Sequence, residues 1–399
     1  MSGRWSVVEP QTDSRPWDPA VSVAFPRWAT PVAWAITVVS LVGFAAFAAT
    51  RLPAAVHGAP DFPNYYIGGE RLLSGEPVYG PIGEDVRVLF GVDDYESYPA
   101  DPPATVALLA PLSLLPYATA WWLFFALSAV LLVGVGYSTT REVAWSRPLA
   151  VAVGATMLVT SAGRFLLLRN HMEAILLLLL FLGWRALRRG RDFEGGAWWG
   201  FAAALKLFPA FLIVGLFAAH RTKAAKSALI TGVVATGLGV TILGWDNTLT
   251  FVREVLPGSK QWYGALGNYS FLSFGTALAT ERLGWALAAA GAAGLTWWYW
   301  RRAETVDQVL AGGVAAMLLI SPLSWLNYLV LAVPGVIVIA HRLDLRTAGG
   351  RWTLLGLAGA LGFWGPIVLA ERVPAVLLTF IPMYGLLASF VLVMRRAET

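Results

Sequence analysis

The stretch GAWWGFAAALKLFPAFLIVGLFAAHRTK, residues 196–223, decides the fold, because from position 196 to 219 it is apolar apart from Lys206. Similar runs recur along the chain, in which 57% of the residues are hydrophobic and only 13% are charged. Apolar runs of this length predict membrane-spanning segments. The runs lack the short alternating pattern of an outer-membrane barrel, which favours helices whose backbone hydrogen bonds close internally. We therefore predict an all-α, polytopic integral membrane protein.

Clusters of arginine and lysine predict the orientation of these segments, because short cytoplasmic loops are enriched in both residues. All seven clusters lie on the cytoplasmic face of the membrane if the apolar runs between them come in pairs. The pairs give five helical hairpins. Both termini are then cytoplasmic, and the first run is a membrane span that is retained in the protein. The clusters are Arg4, Arg15 and Arg27; Arg141 and Arg147; Arg185, Arg188, Arg189 and Arg191; Arg221, Lys223 and Lys226; Arg301 and Arg302; Arg342, Arg346 and Arg351; and Arg395 and Arg396. The paired runs are 28–50 with about 104–138, 148–163 with 172–187, 227–245 with 283–300, 307–320 with 325–340, and 352–370 with 374–394.

Two runs have the wrong length for a single span. Residues 102–138 are too many, and Pro111 and Pro116 predict a short or re-entrant helix before the true span. Residues 195–219 lie between two cytoplasmic clusters, and the half before Lys206 covers only about 18 Å, against about 30 Å of hydrocarbon. We predict two half-helices that meet at Lys206, and roughly twelve passes in all. A single span there is the alternative, and it would turn every later cluster outward.

This topology divides the chain into a cytoplasmic tail at residues 1–27 and one membrane domain at 28–396, whose external first loop, 51–103, holds short amphipathic helices. Nearly every residue capable of chemistry falls in an external segment. The working face is therefore predicted to be extracytoplasmic. These residues are Asp61, Asp101, Arg164, Arg169, Asn170, His171, Lys206, Asp246, Arg253, Lys260, Asn268 and Asn327.

Three of the external residues, Arg164, Arg169 and Lys206, are cations at helix ends with no acidic run beside them in the sequence. A charged side chain costs about 2.5–3.5 kcal/mol at the centre of a span, so it is expected to have a partner. A bound anion would be that partner, and lipid phosphate is the anion most available at the hydrocarbon boundary. The alternative is that the three side chains are interfacial anchors that reach the lipid headgroups.

Two aspartates are the acidic counterparts of these cations. Asp61 has two interpretations: it is a general base that takes a proton from an attacking hydroxyl, or it caps the amphipathic helix that starts at Pro63. Asp101 precedes Pro102, which suits the first position of a helix, so capping is the preferred interpretation there.

Composition excludes several other kinds of chemistry. The chain has no cysteine, which excludes disulfides and cysteine-ligated zinc or iron–sulfur sites, and its four histidines are widely scattered. It also has no phosphate-cradling loop, dinucleotide-binding fingerprint or HExxH motif. The net charge of +5 follows the membrane topology, so no nucleic-acid partner is expected. We expect no metal or other cofactor, membrane lipids as surroundings, and a monomer.

Six stretches taken in order resemble glycosyltransferase family 87. This is a group of polyprenol-phosphate-sugar-dependent membrane enzymes that includes actinobacterial mannosyltransferases of phosphatidylinositol mannosides and arabinofuranosyltransferases. The resemblance runs from about residue 28 to 340, and its most specific parts are the first loop and the ALKLFP corner. The stretches are DFPNYYIGGERLLSGEPVYG (61–80), YPADPPATVALLAPLSLLP (98–116), RNHMEAILLLLLFLGWRALRRGR (169–191), the opening stretch (196–223), LGNYSFLSF (266–274) and SPLSWLNYLVLAVP (321–334).

The resemblance implies a helical fold of the GT-C type in the bacterial cytoplasmic membrane, with the catalytic aspartate of the first loop matched by Asp61. The donor would be a lipid-linked sugar such as polyprenyl-phosphate-mannose, with polyprenyl-phosphate-arabinofuranose as the alternative, and often no metal. Asp61 would deprotonate an acceptor hydroxyl on a glycolipid or polysaccharide, and the configuration of the sugar would invert. Lys206, with Arg164 or Arg169, would hold the departing phosphate.

Further residues are expected around the sugar and the acceptor: Tyr65, Tyr66, Tyr98, Asn170, His171, Asn268 and Asn327. The chain departs from many members at Asn327 and Tyr328, where they carry a histidine pair, and at Asn170 and His171, where they carry Gly-Gln. These departures affect two predictions: which residues bind the acceptor, and that the transferred sugar is mannose. Two other functions stay open: a transporter or lipid flippase, which the broken helix at 195–219 would suit, and a non-catalytic lipid-binding subunit.

Overall fold

The computed structural model describes residues 28–56, 61–90, 99–265, 267–345, 347–363 and 373–394. Within these ranges the chain forms helices and turns, with one isolated β-bridge between Asn268 and Trp325. The α-helices are α1 (Ala29–Val56), α2 (Phe62–Ser74), α3 (Gly83–Phe90), α4 (Pro103–Leu109), α5 (Tyr117–Glu142), α6 (Arg147–Met157), α7 (Ser161–Arg169), α8 (Glu173–Arg188), α9 (Asp192–Leu205), α10 (Phe211–Ala218), α11 (Thr222–Leu243), α12 (Trp245–Thr250), α13 (Leu256–Gly258), α14 (Phe271–Leu278), α15 (Glu281–Arg302), α16 (Val306–Ile320), α17 (Val333–Arg342), α18 (Ala348–Ala358), α19 (Val373–Thr379) and α20 (Ile381–Met394). Tighter 3-10 segments cover Ala110–Leu114, Phe208–Ala210, Ser259–Trp262 and Leu326–Ala332, and π-helical turns cover Phe251–Val255 and Gly359–Phe363.

Several of the described helices are apolar enough to lie in a membrane. Three of them, α1, α5 and α11, are long enough to cross a bilayer alone, and α6 with α7 forms a fourth candidate that is bent by 52°. Five shorter apolar segments are Pro103–Leu114, Phe208–Ala218, Val306–Ile320, Leu326–Arg342 and Ile381–Met394. The predicted all-α membrane protein is therefore confirmed, whereas the count of about twelve passes stays a prediction.

The core of the described bundle is built around α16. Almost all of its residues are buried, and it packs against α10, α15, α17 and α20. A helix that is apolar on all sides is expected at the centre of a bundle, because every face then needs an apolar neighbour.

The break predicted at Lys206 is present. Helix α9 ends at Leu205, Lys206 is extended (φ −140°, ψ 136°), and the chain resumes through a 3-10 turn into α10. The break frees the carbonyl of Leu205, and this carbonyl accepts a hydrogen bond from the buried hydroxyl of Thr105 in α4. A polar backbone group that loses its helical partner inside an apolar bundle must find another one, so α4 stabilises the break.

The short helix predicted before Pro116 is also present. Helix α4 and the following 3-10 segment end at Leu115, which is extended, and α5 begins at Tyr117. The predicted run 148–163 differs from the structure, because α6 ends at Met157 and α7 continues to Arg169. The hydroxyl of Thr160 accepts a hydrogen bond of 3.0 Å from the amide of Gly163, so this residue caps a second helix instead of lying inside the first.

The first loop holds an amphipathic helix, as predicted, in α2. Pro63 lies in its first turn, and the helix ends at Gly75, whose left-handed backbone (φ 78°) turns its amide towards the last carbonyls. The buried face of α2 packs on the 3-10 segment 110–114, where the hydroxyl of Ser113 donates to the carbonyl of Tyr66 at 2.7 Å. These contacts anchor the first loop to the membrane helices.

Small residues allow α9 to pack closely against α11. A Cβ added to Gly196 would lie 2.0 Å from the carbonyl oxygen of Ala224, and one added to Gly200 would lie 2.1 Å from that of Ala228. Residues four apart lie on one helix face, so the two glycines form a strip of the kind that lets membrane helices approach each other. This packing holds the end of α9, and therefore Lys206, in place.

We expect Gly200→Ala to lower the free energy of unfolding by about 1–3 kcal/mol, because the new methyl would overlap backbone that cannot turn away. The matched control is Gly237→Ala in α11, where a Cβ would meet nothing within 4 Å. Thermal unfolding in detergent should show a lower Tm for the first variant and an unchanged or higher Tm for the second. Equal Tm values would contradict the close packing of α9 and α11.

Candidate active site

Asp61 and Arg169 form an ion pair at the start of α2. Nη1 of Arg169 lies 3.1 and 2.9 Å from the two carboxylate oxygens of Asp61. Asp61 occupies the N-cap position of α2, as the cap interpretation predicts, but its carboxylate makes no capping hydrogen bond to the helix. About a fifth of the Asp61 side chain, 21%, is exposed, which leaves the carboxylate accessible to a substrate.

Lys206 and Asp101 form a second, more deeply buried ion pair. Nζ of Lys206 lies 2.5 Å from Oδ1 of Asp101, and the two side chains are 13% and 9% exposed. The preferred interpretation of Asp101 as a cap is corrected here, because its carboxylate lies against Lys206. The hydroxyl of Tyr79 donates to the backbone carbonyl of Asp101 at 2.8 Å and fixes this turn. Nζ of Lys206 also lies 5.8 Å from the centre of the Tyr328 ring.

The sequence predicts a bound anion as the partner of Arg169 and Lys206, and the structure gives both cations an acidic partner within the protein. Each pairs with an aspartate of the first loop that is more than a hundred positions away in the chain. No acidic run adjoins either cation in the sequence, and only the packing of the first loop over the helix ends brings the charges together. Both cations keep further N–H groups for another acceptor, since arginine has five and lysine has three.

A third cluster joins His171, Glu173 and Asn327. Glu173 is fully buried, and its Oε2 lies in hydrogen-bond contact with Nδ1 of His171 and accepts a hydrogen bond of 3.0 Å from Nδ2 of Asn327. Its Oε1 has no hydrogen-bond partner among the described residues. Sequence reasoning missed Glu173, although an acidic residue at the start of a strongly apolar helix is itself a signal of function.

Tyr65 lies between these clusters. Its ring packs edge-on against His171, with centroids 5.6 Å apart, and its hydroxyl is buried without a hydrogen-bond partner among the described residues. Burial, and then the negative charges of Asp101 and Glu173, raise the pKa of Tyr65 well above its usual range. The side chain is therefore a neutral hydroxyl that can donate to a ligand.

The structure does not bring every predicted ligand to this site. The hydroxyl of Tyr66 donates to the carbonyl of Leu115 at 2.8 Å, and so holds the break before α5. Arg164 is exposed and lies outside both ion pairs. Tyr98 lies outside the described residues.

Two predicted asparagine ligands instead shape the backbone. Asn170 is buried in a left-handed conformation (φ 54°) that ends α7, and its Nδ2 donates to the carbonyl of Trp121 at 2.8 Å. Asn268 is buried too, and its Nδ2 donates to the carbonyl of Pro322 at 2.9 Å while its Oδ1 accepts from the amide of Ser324 at 2.8 Å. These bonds orient the segments that carry His171 and Asn327, because a side chain committed to backbone fixes the turn it lies in.

The described residues contain no group of three or more histidine and acidic side chains arranged to hold a metal ion. Function without a metal stays a prediction. The cluster offers a partly exposed carboxylate, two paired cations, an unpartnered phenol and an imidazole, all at helix ends. Such a set can deprotonate a hydroxyl and bind an anion next to it.

Comparison with known proteins agrees with this chemistry. Two relatives carry the name polyprenol-phosphate-mannose-dependent alpha-(1-2)-phosphatidylinositol mannoside mannosyltransferase. The one from Mycolicibacterium smegmatis is 28% identical over 375 residues, which cover 86% of this chain and 83% of the relative. The one from Mycobacterium tuberculosis is 26% identical over 347 residues, which cover 78% and 77%. No solved structure is significantly similar.

The model of glycosyltransferase family 87 matches residues 100–322. This range is more than half of the chain, and it contains Asp101, Arg169, Glu173 and Lys206. The resemblance in the sequence motifs is therefore confirmed, and the protein belongs to glycosyltransferase family 87 and is a membrane glycosyltransferase.

Proposed function

We propose that this enzyme transfers mannose from polyprenyl-phosphate-mannose to a lipid or polysaccharide acceptor on the extracytoplasmic face of the membrane. The observation that carries the proposal is the Asp61 carboxylate, which Arg169 holds beside the buried phenol of Tyr65 and the Lys206–Asp101 pair. The names of the two relatives support mannose on a polyprenyl phosphate as donor and a phosphatidylinositol mannoside as acceptor.

In the proposed reaction Asp61 takes the proton of the acceptor hydroxyl. The hydroxyl oxygen bonds to the anomeric carbon, and the bond from that carbon to the phosphate oxygen breaks, with its electron pair leaving on the polyprenyl phosphate. A single displacement from the opposite face inverts the configuration. Arg169 orients the Asp61 carboxylate through two hydrogen bonds, which supports its role as a positioned base.

Lys206 and Arg169 hold the phosphate in this scheme. Arg169 uses one nitrogen for Asp61, which leaves other N–H groups of its fork for phosphate oxygens. For the role of second phosphate-binding cation the structure favours Arg169 over Arg164, because Arg164 lies outside both ion pairs. Tyr65, with its unpartnered hydroxyl, is the described tyrosine best suited to contact the sugar, and Tyr98 stays a predicted sugar contact. The proposal requires no metal.

The proposed topology keeps residues 1–27 in the cytoplasm, one GT-C-type membrane domain at 28–396 and the catalytic loop 51–103 outside the bacterial cytoplasmic membrane. The distribution of the basic clusters supports about twelve passes. The site residues come from the ends of several helices, as expected for a site at a membrane surface: the starts of α2 and α8 and the ends of α7 and α9.

The test is incubation of the purified protein with a panel of polyprenyl-phosphate sugars and membrane lipids, with products read by mass. We expect lipid products heavier by one hexose with the mannose donor. If products form only with the arabinofuranose donor and are heavier by one pentose, the transferred sugar is arabinofuranose and not mannose. Movement of labelled donor across the liposome membrane without any sugar transfer would favour a flippase. The bent pair α6–α7 and the broken pair α9–α10 would suit that function.

A further inference from the structure

We infer that His171, in its protonated form, is a third cation that holds the donor phosphate, and that Glu173 is the positioning residue that keeps this cation in place. The inference rests on the proposed function, because it names a further binding group of the same site. It follows from the geometry of Glu173, from the balance of charge in the cluster and from the direction in which the imidazole is held.

Glu173 needs a cationic partner. It is fully buried, and a buried carboxylate is costly unless a charge and hydrogen bonds compensate it. Among the described residues its Oε2 contacts Nδ1 of His171 and accepts one neutral hydrogen bond from Asn327, while the ammonium of Lys206 acts on it from further away. A protonated imidazole meets the need of this carboxylate better than a neutral one does, because it supplies the opposite charge.

The charge of the whole cluster leads to the same result. The ion pairs join three carboxylates, those of Asp61, Asp101 and Glu173, with Arg169, Lys206 and the imidazole of His171. If the imidazole is neutral, the cluster carries one excess negative charge, which would repel a phosphodiester donor. If the imidazole is protonated, the cluster is neutral, so binding of an anionic donor favours the protonated form.

The contacts of the imidazole also suit this role. Its Nδ1 is held by the carboxylate of Glu173, so Nε2 is the ring nitrogen left for a ligand. The ring lies 5.6 Å from that of Tyr65 and 6.2 Å from that of Tyr328, and Nζ of Lys206 lies over the same Tyr328 ring. His171 and Lys206 are thus both neighbours of Tyr328, and the inference places the donor phosphate between them.

Titratable groups from three described elements face His171. Glu173 comes from α8, Tyr65 from α2 and Tyr328 from the segment 326–332, and the charged pairs Lys206–Asp101 and Arg169–Asp61 belong to the same candidate site. Burial and the nearby carboxylates raise the pKa of Tyr65, so this phenol stays neutral across the range in which a histidine titrates. A purely structural His171–Glu173 pair would make donor binding independent of this titration.

The experiment measures KM for polyprenyl-phosphate-mannose from about pH 5.5 to 8.5 in the wild type, His171→Gln and Glu173→Gln. We expect the wild-type KM to rise as pH rises, because the imidazole loses its proton and the cluster becomes negative. His171→Gln should have a KM that is higher by roughly tenfold or more at acid pH and nearly flat with pH. Glu173→Gln should also raise KM at acid pH, because the carboxylate that holds Nδ1 of the imidazole is lost. His220→Asn is the control, since His220 is exposed and its left-handed backbone (φ 55°) suits Asn.

Either of two results would overturn the inference: a wild-type KM that does not change with pH, or a His171→Gln variant that keeps the wild-type pH profile. Sugar transfer by the wild type would still support the proposed function. If the wild type transfers no sugar, the proposed function fails and the inference is tested by binding of polyprenyl phosphate to the same variants. Affinity that falls with pH in the wild type but not in His171→Gln would support it. Identical binding profiles would overturn it.

Discussion

Asp61→Asn is expected to lower kcat for sugar transfer by about 10²- to 10⁴-fold, because an amide cannot take the proton of the acceptor hydroxyl. The amide oxygen of Asn can still accept a hydrogen bond from Arg169, so the variant should fold and insert normally. Binding of the donor should not weaken, since the phosphate is held by the cations and the variant removes one negative charge from the cluster. The measurement is transfer by purified protein at saturating donor, together with Tm in detergent.

The matched control for Asp61→Asn is Asp85→Asn. Asp85 is another aspartate of the first loop, and its carboxylate lies 2.7 Å from Nη2 of Arg71. The control therefore also removes one charge from an aspartate–arginine pair in the same loop, but away from the clusters of the candidate site. Full activity in Asp61→Asn, or an equal loss in both variants, would contradict the assignment of Asp61 as the base.

Lys206→Met is expected to lower kcat by about 10²- to 10³-fold, the usual cost of removing one group that stabilises charge in a transition state. Electron density moves onto the phosphate oxygen as the sugar departs, and Lys206 supplies the charge that stabilises it in the proposed mechanism. The variant should also lose stability, by about 3–5 kcal/mol, because it leaves Asp101 buried without its partner.

The double variant Lys206→Met, Asp101→Asn separates these two effects. It removes both charges of the buried pair, so Tm should recover towards the wild-type value while sugar transfer stays low. The measurement compares Tm and kcat in the single and double variants. Recovery of transfer together with Tm would mean that Lys206 acts only through the stability of the fold.

Much of the site could be predicted from the sequence because the relevant signals are local. Apolar length, proline position and basic clusters act within one span or one loop, and they place Asp61, Arg169, His171 and Lys206 near helix ends, in segments that stay predicted as external. The break at Lys206 and the turn at Pro116 were predicted in the same way and are present in the structure.

Other residues could not be assigned from local signals, because their roles depend on neighbours far along the chain. Asn170 and Asn268 look like substrate ligands in the sequence, yet their amides bond to the backbone at Trp121 and Pro322. The position of Glu173 at the start of an apolar helix indicates a function, but its partner Asn327 comes from a distant segment and only the structure identifies it.

The sequence by itself determined that this protein is a helical membrane protein with broken helices, since hydropathy and backbone chemistry act over short distances. Only the tertiary structure decided which charges meet. The pairs Asp61–Arg169 and Asp101–Lys206 form because the turns before α2 and α4 lie against the ends of α7 and α9. An ion pair between residues a hundred positions apart is a property of helix packing, and no local pattern encodes it.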